Sequence, residues 1–249
     1  PLLGEAEIEK EKGVIIEEIN MYEDLPPQRV QDLFMELLYG DQPAGWSIAG
    51  TKEIVARLKR DDFLTYRARH YVAGATVVLL AGNFLEEAMV EKVKTVFGTV
   101  SAAEKEAKTS TQDDQDEPKV ALKYKPSDQT HLVLGFRSYP LNHPAHFVLE
   151  VLSAVLGGGM SSRLFQRIRD ELGAAYYVRA SQDAYTDHGL LQAAVGADTD
   201  RVPQIIQIIL EECRRLQDEP VPAGELARTK DMLTGQLYLD LEKSSNLGL

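Results

Sequence analysis

The chain has 249 residues, of which 44% are hydrophobic and 27% are charged, which allows one large globular domain or two ordinary ones. Thirty-nine acidic against 27 basic residues give a formal net charge of −12, which argues against a nucleic-acid binder because such a protein needs a basic surface. No apolar run is long enough to span a membrane and no signal peptide is recognisable, so neither feature is expected.

The first predicted element is a long helix from about residue 5 to residue 39, interrupted by Pro26 and Pro27. At about 100° per residue, Glu11 and Glu18 fall on the apolar side of this helix, whereas Glu17 falls on the opposite side. A carboxylate among apolar side chains is costly unless it is paired, hydrogen-bonded or bound to a metal. Two interpretations follow: a cluster of surface glutamates on the rim of the helix, or one half of a metal or acid–base site.

A loop, three helices and one buried strand are predicted up to about residue 100. Residues 39–51 are rich in glycine and proline and are expected to form the loop. The β-branched apolar run 75–84 is expected to be the buried strand. Helices are expected at residues 51–58, 59–71 and 85–97.

Residues 101–118, "SAAEKEAKTSTQDDQDEP", contain no large apolar side chain. Such a segment cannot bury a hydrophobic face, so it is predicted to be a linker. The sequence therefore divides into a first domain at residues 1–100 and a second at residues 119–249.

The second domain is predicted to mix strands and helices. Strands are expected at residues 119–126 and 129–140, and a pair of strands within residues 174–198. Helices are expected within residues 143–159, with Asn142 as N-cap and the three glycines at its end, and at 161–173, 201–219 and 222–244.

The only cysteine, Cys213, lies in the helix predicted at residues 201–219. A single cysteine excludes an internal disulfide and any zinc site built from several cysteines. It fits a reducing compartment, so a cytoplasmic location is expected, with an organellar or periplasmic location left open.

Two motifs of the second domain invite a binding interpretation that their context disfavours. The glycines Gly157, Gly158 and Gly159 precede a helix, as in phosphate-binding loops, but they follow a helix rather than a strand and lack the P-loop lysine, which favours a simple turn.

His143 and His146 have a spacing that metal ligands use, but they lie in the first turn of a helix without a nearby third ligand.

Arg169 and Tyr176 lie seven residues apart, at the end of a predicted helix and in the strand after it. A guanidinium and a phenol brought together can bind a peptide carbonyl or stabilise an oxyanion. The plainer alternative is a surface arginine on a helix and a tyrosine in a sheet.

Taken together, these segments resemble the pitrilysin-type (insulinase-type) zinc metallopeptidases, the family that includes mitochondrial processing peptidase. Residues 3–19, "LGEAEIEKEKGVIIEEI", are similar to the family segment that carries the third zinc ligand, and residues 42–84 to the segment after it. The second homologous domain of the family resembles residues 130–140, 151–181 and 185–198.

The resemblance implies an α+β fold made of two homologous metallopeptidase-type α/β units. In this family two histidines of an H-x-x-E-H helix and one distant glutamate hold the zinc. By resemblance the distant glutamate is Glu18, and Glu11 is an auxiliary carboxylate of the catalytic site. Arg169 and Tyr176 match the residues that bind the substrate carbonyl, and Gly157–Gly159 match the glycine-rich loop at the mouth of the cavity.

The sequence departs from the family pattern in one respect, because no H-x-x-E-H occurs in the 249 residues. Both units are therefore expected to be incomplete, with residues 1–100 as the C-terminal half of the zinc-peptidase domain and residues 119–249 as a second domain truncated at its end. The expected function is that of a fragment of a zinc metalloendopeptidase, inactive alone, which cleaves peptides or unfolded polypeptides. The alternative is a non-catalytic family member that binds peptides as a partner or scaffold subunit. The expected partners are a peptide substrate and either an N-terminal segment or another chain in a homo- or hetero-oligomer.

Overall fold

The computed structural model describes residues 2–248 and divides them into two compact units. The first unit contains the described residues up to Asn20, residues Ala49–Thr109 and those from Gln236 onward. The second unit contains Met21–Ile48 and Ser110–Gly235. Each unit thus draws on separate stretches of sequence. The division of the sequence into domains at residues 101–118 stays a prediction.

Within residues 2–248, eight α-helices lie where helical periodicity was expected. They are α1 (Glu5–Asp24), α2 (Pro26–Tyr39), α3 (Lys52–Arg57), α4 (Arg60–His70), α5 (Glu86–Phe97), α6 (His146–Gly157), α7 (Val202–Asp218) and α8 (Ala223–Asp240). Leu25 separates α1 from α2 because Pro26 and Pro27 open the second helix. Among residues 2–248, no helix is long and apolar enough to cross a membrane.

The second unit contains a three-stranded antiparallel sheet in the order β1-β3-β2. Its strands are β1 (Thr130–Ser138), β2 (Ala175–Ala184) and β3 (Gly189–Ala197). The central strand β3 is buried along almost its whole length. The predicted mixture of helices with a sheet is therefore confirmed, while the homology of the two units stays a prediction.

Helices cover both faces of this sheet. On one face, Phe34, Leu38 and Tyr39 of α2 pack with Leu190 of β3. On the other face, the main core joins β2 and β3 to α6, α7 and the segment 164–168, including Leu156, Leu164, Ile168, Val178, Val195, Ile205 and Ile209. The sheet is thus the middle layer of the second unit.

Glycines allow the closest approaches between these layers. A Cβ added at Gly135 of β1 would lie 2.5 Å from Cζ of Phe34, so the glycine lets α2 approach the sheet. A Cβ added at Gly157, the last residue of α6, would lie 2.2 Å from the backbone nitrogen of Ala180 in β2. Gly157 therefore sets the distance between α6 and the sheet.

Two predicted strands are wrong. Residues 76–84 have no regular structure, and their apolar side chains are exposed, with Val77 at 89% and Leu79 at 56%. Residues 119–126 are also irregular, and Val120 and Leu122 are exposed. A strand must pair its backbone groups with a neighbouring strand, and within the described residues neither segment has one. Both segments therefore have strand-like sequences without a sheet to join.

The predicted N-cap at Asn142 is also wrong. Helix α6 begins at His146, and its N-cap is Ala145, which makes no side-chain capping bond. Residues preceding it form turns instead, in which the backbone N–H of Ala145 donates to Nδ1 of His143 at 3.1 Å. The side chain of His143 therefore accepts a hydrogen bond in the turn before α6, and Asn142 does not cap the helix.

The predicted linker, residues 101–118, contains no helix or strand. Polar contacts, rather than apolar packing, hold its first part within the first unit and its remainder within the second unit. In the first unit Glu106 pairs with Arg69, with 2.6 Å between Oε1 and Nε. In the second unit the backbone N–H of Thr111 donates to Asp187 at 2.9 Å, and that of Gln112 donates to Gln42 at 2.8 Å. These surface contacts are individually weak.

Limited trypsin digestion should cut the chain first after Lys105 or Lys108, because both are exposed in a segment without helix or strand. The products are identified by intact mass spectrometry. A first cut within residues 5–40 or 145–178 would contradict the linker prediction.

Gly157→Ala should destabilise the second unit by about 1–3 kcal/mol, since the new methyl group meets the backbone of β2 and forces α6 outward. The matched control is Gly235→Ala in α8, where an added Cβ has no heavy atom within 4 Å. The control should be neutral or stabilising by up to about 1 kcal/mol. Urea unfolding of the three proteins measures both effects, and an unchanged midpoint for Gly157→Ala would refute the packing role.

Candidate functional site

Helix α1 presents the two predicted carboxylates with different exposure. Glu18 is half-buried, and the isoleucine that follows it, Ile19, is buried, while Glu17 is exposed. This agrees with the helical periodicity, which put Glu18 and Glu17 on opposite sides. Glu11 is exposed, however, and Val14 near it is 52% exposed, although Ile8 of the same helix is buried. The roles of Glu11 and Glu18 stay predictions.

The carboxylates of α1 do not form a metal site by themselves. Within residues 2–248 there is no cluster of three or more His, Cys, Asp or Glu side chains that could hold a metal ion. Zinc sites in proteins need three or four such ligands around one point. The described residues therefore cannot hold a zinc ion by themselves. Glu18 could provide only one of the three or four ligands, and the others would have to come from elsewhere.

The histidines at the start of α6 are occupied by other contacts. The ring of His143 stacks on Tyr139 with 3.8 Å between ring centres. Nδ1 of His146 lies 3.3 Å from the amide nitrogen of Gln182. Both side chains therefore belong to the packing around α6, and the metal-ligand alternative for them has no support.

The seven-residue spacing brings Arg169 to the backbone of Tyr176. The guanidinium of Arg169 donates a hydrogen bond to the carbonyl oxygen of Tyr176. It also lies over the ring of Phe165, with 5.5 Å between its central carbon and the ring centre. The side chains of Arg169 and Tyr176 are both exposed, Tyr176 by 57%. The guanidinium thus has donors left for a ligand, because an arginine carries several N–H groups.

Both residues lie on irregular elements that the sequence analysis missed. Arg169 belongs to a π-helix, Phe165–Glu171, where an ordinary helix was predicted. Tyr176 is the extra residue of a β-bulge, since Ala175 pairs with Ala197 and Tyr177 already pairs with Gly196. π-Helices and bulges are frequent at functional sites because they re-aim side chains. No local sequence signal distinguishes these forms from a regular helix and strand.

The predicted glycine-rich loop lines a shallow cavity of about 370 Å³. The other lining residues are Met160, Phe165, Val178, Arg179 and Ala180. Phe165 connects this cavity to Arg169, whose guanidinium lies over its ring. Arg169 and Tyr176 do not themselves line it, so a cavity shared by the two stays a prediction. Gly157 has a packing role against β2 in addition to any role in binding.

A larger cavity of about 580 Å³, which was not predicted, lies between β1, α6 and α7. Apolar side chains dominate its lining, among them Phe136, Leu149 and Leu191. Cys213 also lines it, and burial raises the pKa of its thiol, which keeps the thiol protonated at neutral pH. At the edge of this cavity Arg137 lies over the ring of Tyr39, whose pKa burial raises to about 12.

Comparisons with known proteins agree with the resemblance found in the sequence. A family profile described as "Peptidase M16 inactive domain" matches residues 57–233. A Bacillus subtilis (strain 168) protein named "Uncharacterized zinc protease YmxG" is 34% identical over 242 residues, which are 97% of this chain and 58% of that protein. The chain thus spans little more than half the length of this relative.

Solved structures share the fold at low sequence identity. A protease from Helicobacter pylori superimposes with a TM-score of 0.88 at 19% identity, over 98% of this chain and 61% of that one. A chain of complex III2 from Candida albicans superimposes with a TM-score of 0.81 at 18% identity, over 96% of this chain and 58% of that one. These likenesses establish the fold alone. The profile match, which extends over well over half of the sequence, shows that the chain belongs to the peptidase M16 family.

Proposed function

We propose that this chain is the substrate-binding part of a zinc metalloendopeptidase that cleaves peptides or unfolded polypeptides. The observation that carries the proposal is the placement of Arg169, an exposed guanidinium anchored to the carbonyl of Tyr176 between a π-helix and a β-bulge. The name of the Bacillus subtilis relative supports the class of activity.

Arg169 and Tyr176 would bind the backbone of the substrate. The bond to the Tyr176 carbonyl fixes one side of the guanidinium and leaves its other N–H groups for a peptide carbonyl. The exposed phenol of Tyr176 can donate a second hydrogen bond from the neighbouring strand. Donors held in place before the substrate arrives stabilise developing negative charge on a carbonyl oxygen.

Glu18 would supply one zinc ligand, with Glu11 as an auxiliary carboxylate on the same helix. The remaining ligands would come from an H-x-x-E-H helix outside these 249 residues, in the same polypeptide or in a partner chain. A bound zinc ion in such a site acts as a Lewis acid and activates water. The contribution of this chain to that chemistry would be the half-buried carboxylate of Glu18.

The exposed apolar segment 76–84 supports the proposal that a partner binds to the first unit. Val77 and Leu79 are more than half exposed along a stretch with the composition of a buried strand. A strand supplied from outside the chain would cover these side chains and pair with the segment. Such a strand would belong either to the segment that carries H-x-x-E-H or to another subunit.

The alternative function is that of a non-catalytic subunit that binds peptides or supports an assembly. The description of the matching profile as an inactive domain favours it. The same fold in a chain of complex III2 shows that it occurs within a multi-subunit assembly. The two functions differ in one observable property, peptide hydrolysis by the protein when it is joined to its H-x-x-E-H segment.

The chain alone is expected to bind no stoichiometric zinc and to hydrolyse no peptide, since one carboxylate cannot assemble a zinc site. Joining it to its H-x-x-E-H segment, in one polypeptide or as a second chain, should give one zinc per molecule and peptidase activity. In that protein Glu18→Gln should abolish tight zinc binding, as measured by elemental mass spectrometry.

Glu17→Gln is the matched control, because Glu17 is the neighbouring carboxylate on the exposed side of α1. Its zinc content should equal that of the unchanged protein. Equal zinc content in the Glu18→Gln protein would contradict the assignment of Glu18 as a ligand.

In the zinc-loaded protein, Arg169→Ala should lower turnover of a peptide by about tenfold or more, the effect of losing a donor to a developing oxyanion. Arg201→Ala removes an exposed arginine from the turn before α7 and serves as the control. Steady-state kinetics with a fluorogenic peptide measures both. Turnover by the Arg169→Ala protein within a factor of about two of the unchanged protein would refute the substrate-binding role.

A further inference from the structure

Helix α7 carries a carboxylate, Glu212, that is completely buried at 0% exposure. Its Oε1 accepts hydrogen bonds from Nη1 of Arg167 at 2.9 Å and from Nη1 of Arg215 at 3.0 Å. Its Oε2 lies 3.6 Å from Nη1 of Arg163. A buried charge is tolerated only when such partners compensate for its lost hydration. Glu212 is therefore the centre of an ionic cluster.

The arginines of this cluster are held in turn by further carboxylates. Arg163 forms a two-point pair with Glu225 of α8, with contacts of 2.8 and 2.9 Å. These bonds from Arg163 lower the pKa of the Glu225 carboxyl, so the pair is fully charged at neutral pH. Arg167 donates its second nitrogen, Nη2, to Glu211 at 2.9 Å. The cluster thus joins α7 and α8 to the segment that begins at Arg163.

That segment continues into the π-helix. Arg167 and Arg169 both belong to the π-helix, and they flank Ile168, which is completely buried. The bond of Arg167 to Glu212 and the burial of Ile168 together fix the rotation of the π-helix about its axis. A fixed rotation determines the direction in which Arg169 leaves the helix and reaches the carbonyl of Tyr176.

We propose that Glu212 is a positioning residue for Arg169, which it aims at the substrate through Arg167 and the π-helix. The inference rests on the proposed function of Arg169 as a substrate-binding residue. Glu212 touches neither substrate nor metal in this account. Its buried carboxylate holds the element that presents Arg169.

The first test measures amide hydrogen exchange in the chain. In Glu212→Gln the segment 165–177 should exchange at least about tenfold faster, because the π-helix loses its anchor, while peptides from β3 should keep their rate. Glu211→Gln is the matched control, since it removes a neighbouring carboxylate from the same Arg167 at the surface. The control should change exchange by less than about threefold.

Equal acceleration in β3 and in segment 165–177 would show that Glu212 only stabilises the unit as a whole, and would overturn the proposal. If Glu212→Gln does not fold, Arg167→Gln replaces it. That variant cuts the link at the π-helix, while Glu212 keeps its contacts with Arg163 and Arg215. The same exchange pattern is expected, and unchanged exchange in segment 165–177 would refute the proposal.

The second test is a double-mutant cycle in the zinc-loaded protein. Glu212→Gln should lower kcat/KM for a peptide by about tenfold, but by less than about twofold when Arg169 is already alanine, because residues acting through one another are not additive. A purely structural role would lower activity equally in both backgrounds and would overturn the proposal. If Arg169→Ala alone has no effect, the proposed function fails, and the exchange pattern then decides the positioning role independently.

Discussion

The second unit depends on the burial of one strand, β3, between two layers of helices. Its sequence, "GLLQAAVGA", is mostly small and apolar, so neighbouring layers can approach closely on both faces. Within the sheet, Gly196 leaves room for the side chain of its paired residue Tyr177 in β2, since an added Cβ would lie 2.3 Å from that ring. Because β3 pairs with both other strands, it also fixes the register of β2 and the position of the bulge that exposes Tyr176. The placement of the candidate substrate-binding residues is thus a consequence of the central strand.

The need for a pairing partner explains which elements the sequence could predict. A helix satisfies its backbone hydrogen bonds within itself, so the periodicity of segments such as 202–218 was sufficient to predict it. A strand depends on its neighbours, and residues 76–84 have the composition of a strand but no neighbour among the described residues. Composition therefore identified β1, β2 and β3 correctly and residues 76–84 incorrectly. The difference lies in the surroundings of each segment and not in its own sequence.

The same distinction applies to the candidate site. Periodicity was enough to separate Glu18 from Glu17, because both lie on one regular helix. Spacing alone left the association of Arg169 with Tyr176 open, and the family resemblance suggested it. The two residues do meet, although the contact uses the backbone carbonyl rather than the phenol. The bond between Arg167 and Glu212 could not be predicted, since the two residues are 45 positions apart along the chain. Contacts of this kind are tertiary, and only the folded arrangement reveals them.

The chemistry of the ionic cluster gives a reason for burying the charge of Glu212 next to the π-helix. Replacing a buried ion pair or triad with well-packed apolar side chains is often neutral or stabilising, by about 1–4 kcal/mol in favourable cases. Stability alone is therefore a weak reason for burying Glu212 among three arginines. Apolar contacts, however, have no preferred direction, whereas the bonds of a guanidinium to a carboxylate have fixed lengths and angles. A π-helix that must hold Arg169 at one angle needs directional contacts. The bond between Arg167 and Glu212 is such a contact, and Arg167 and Arg169 flank the buried Ile168 in the π-helix.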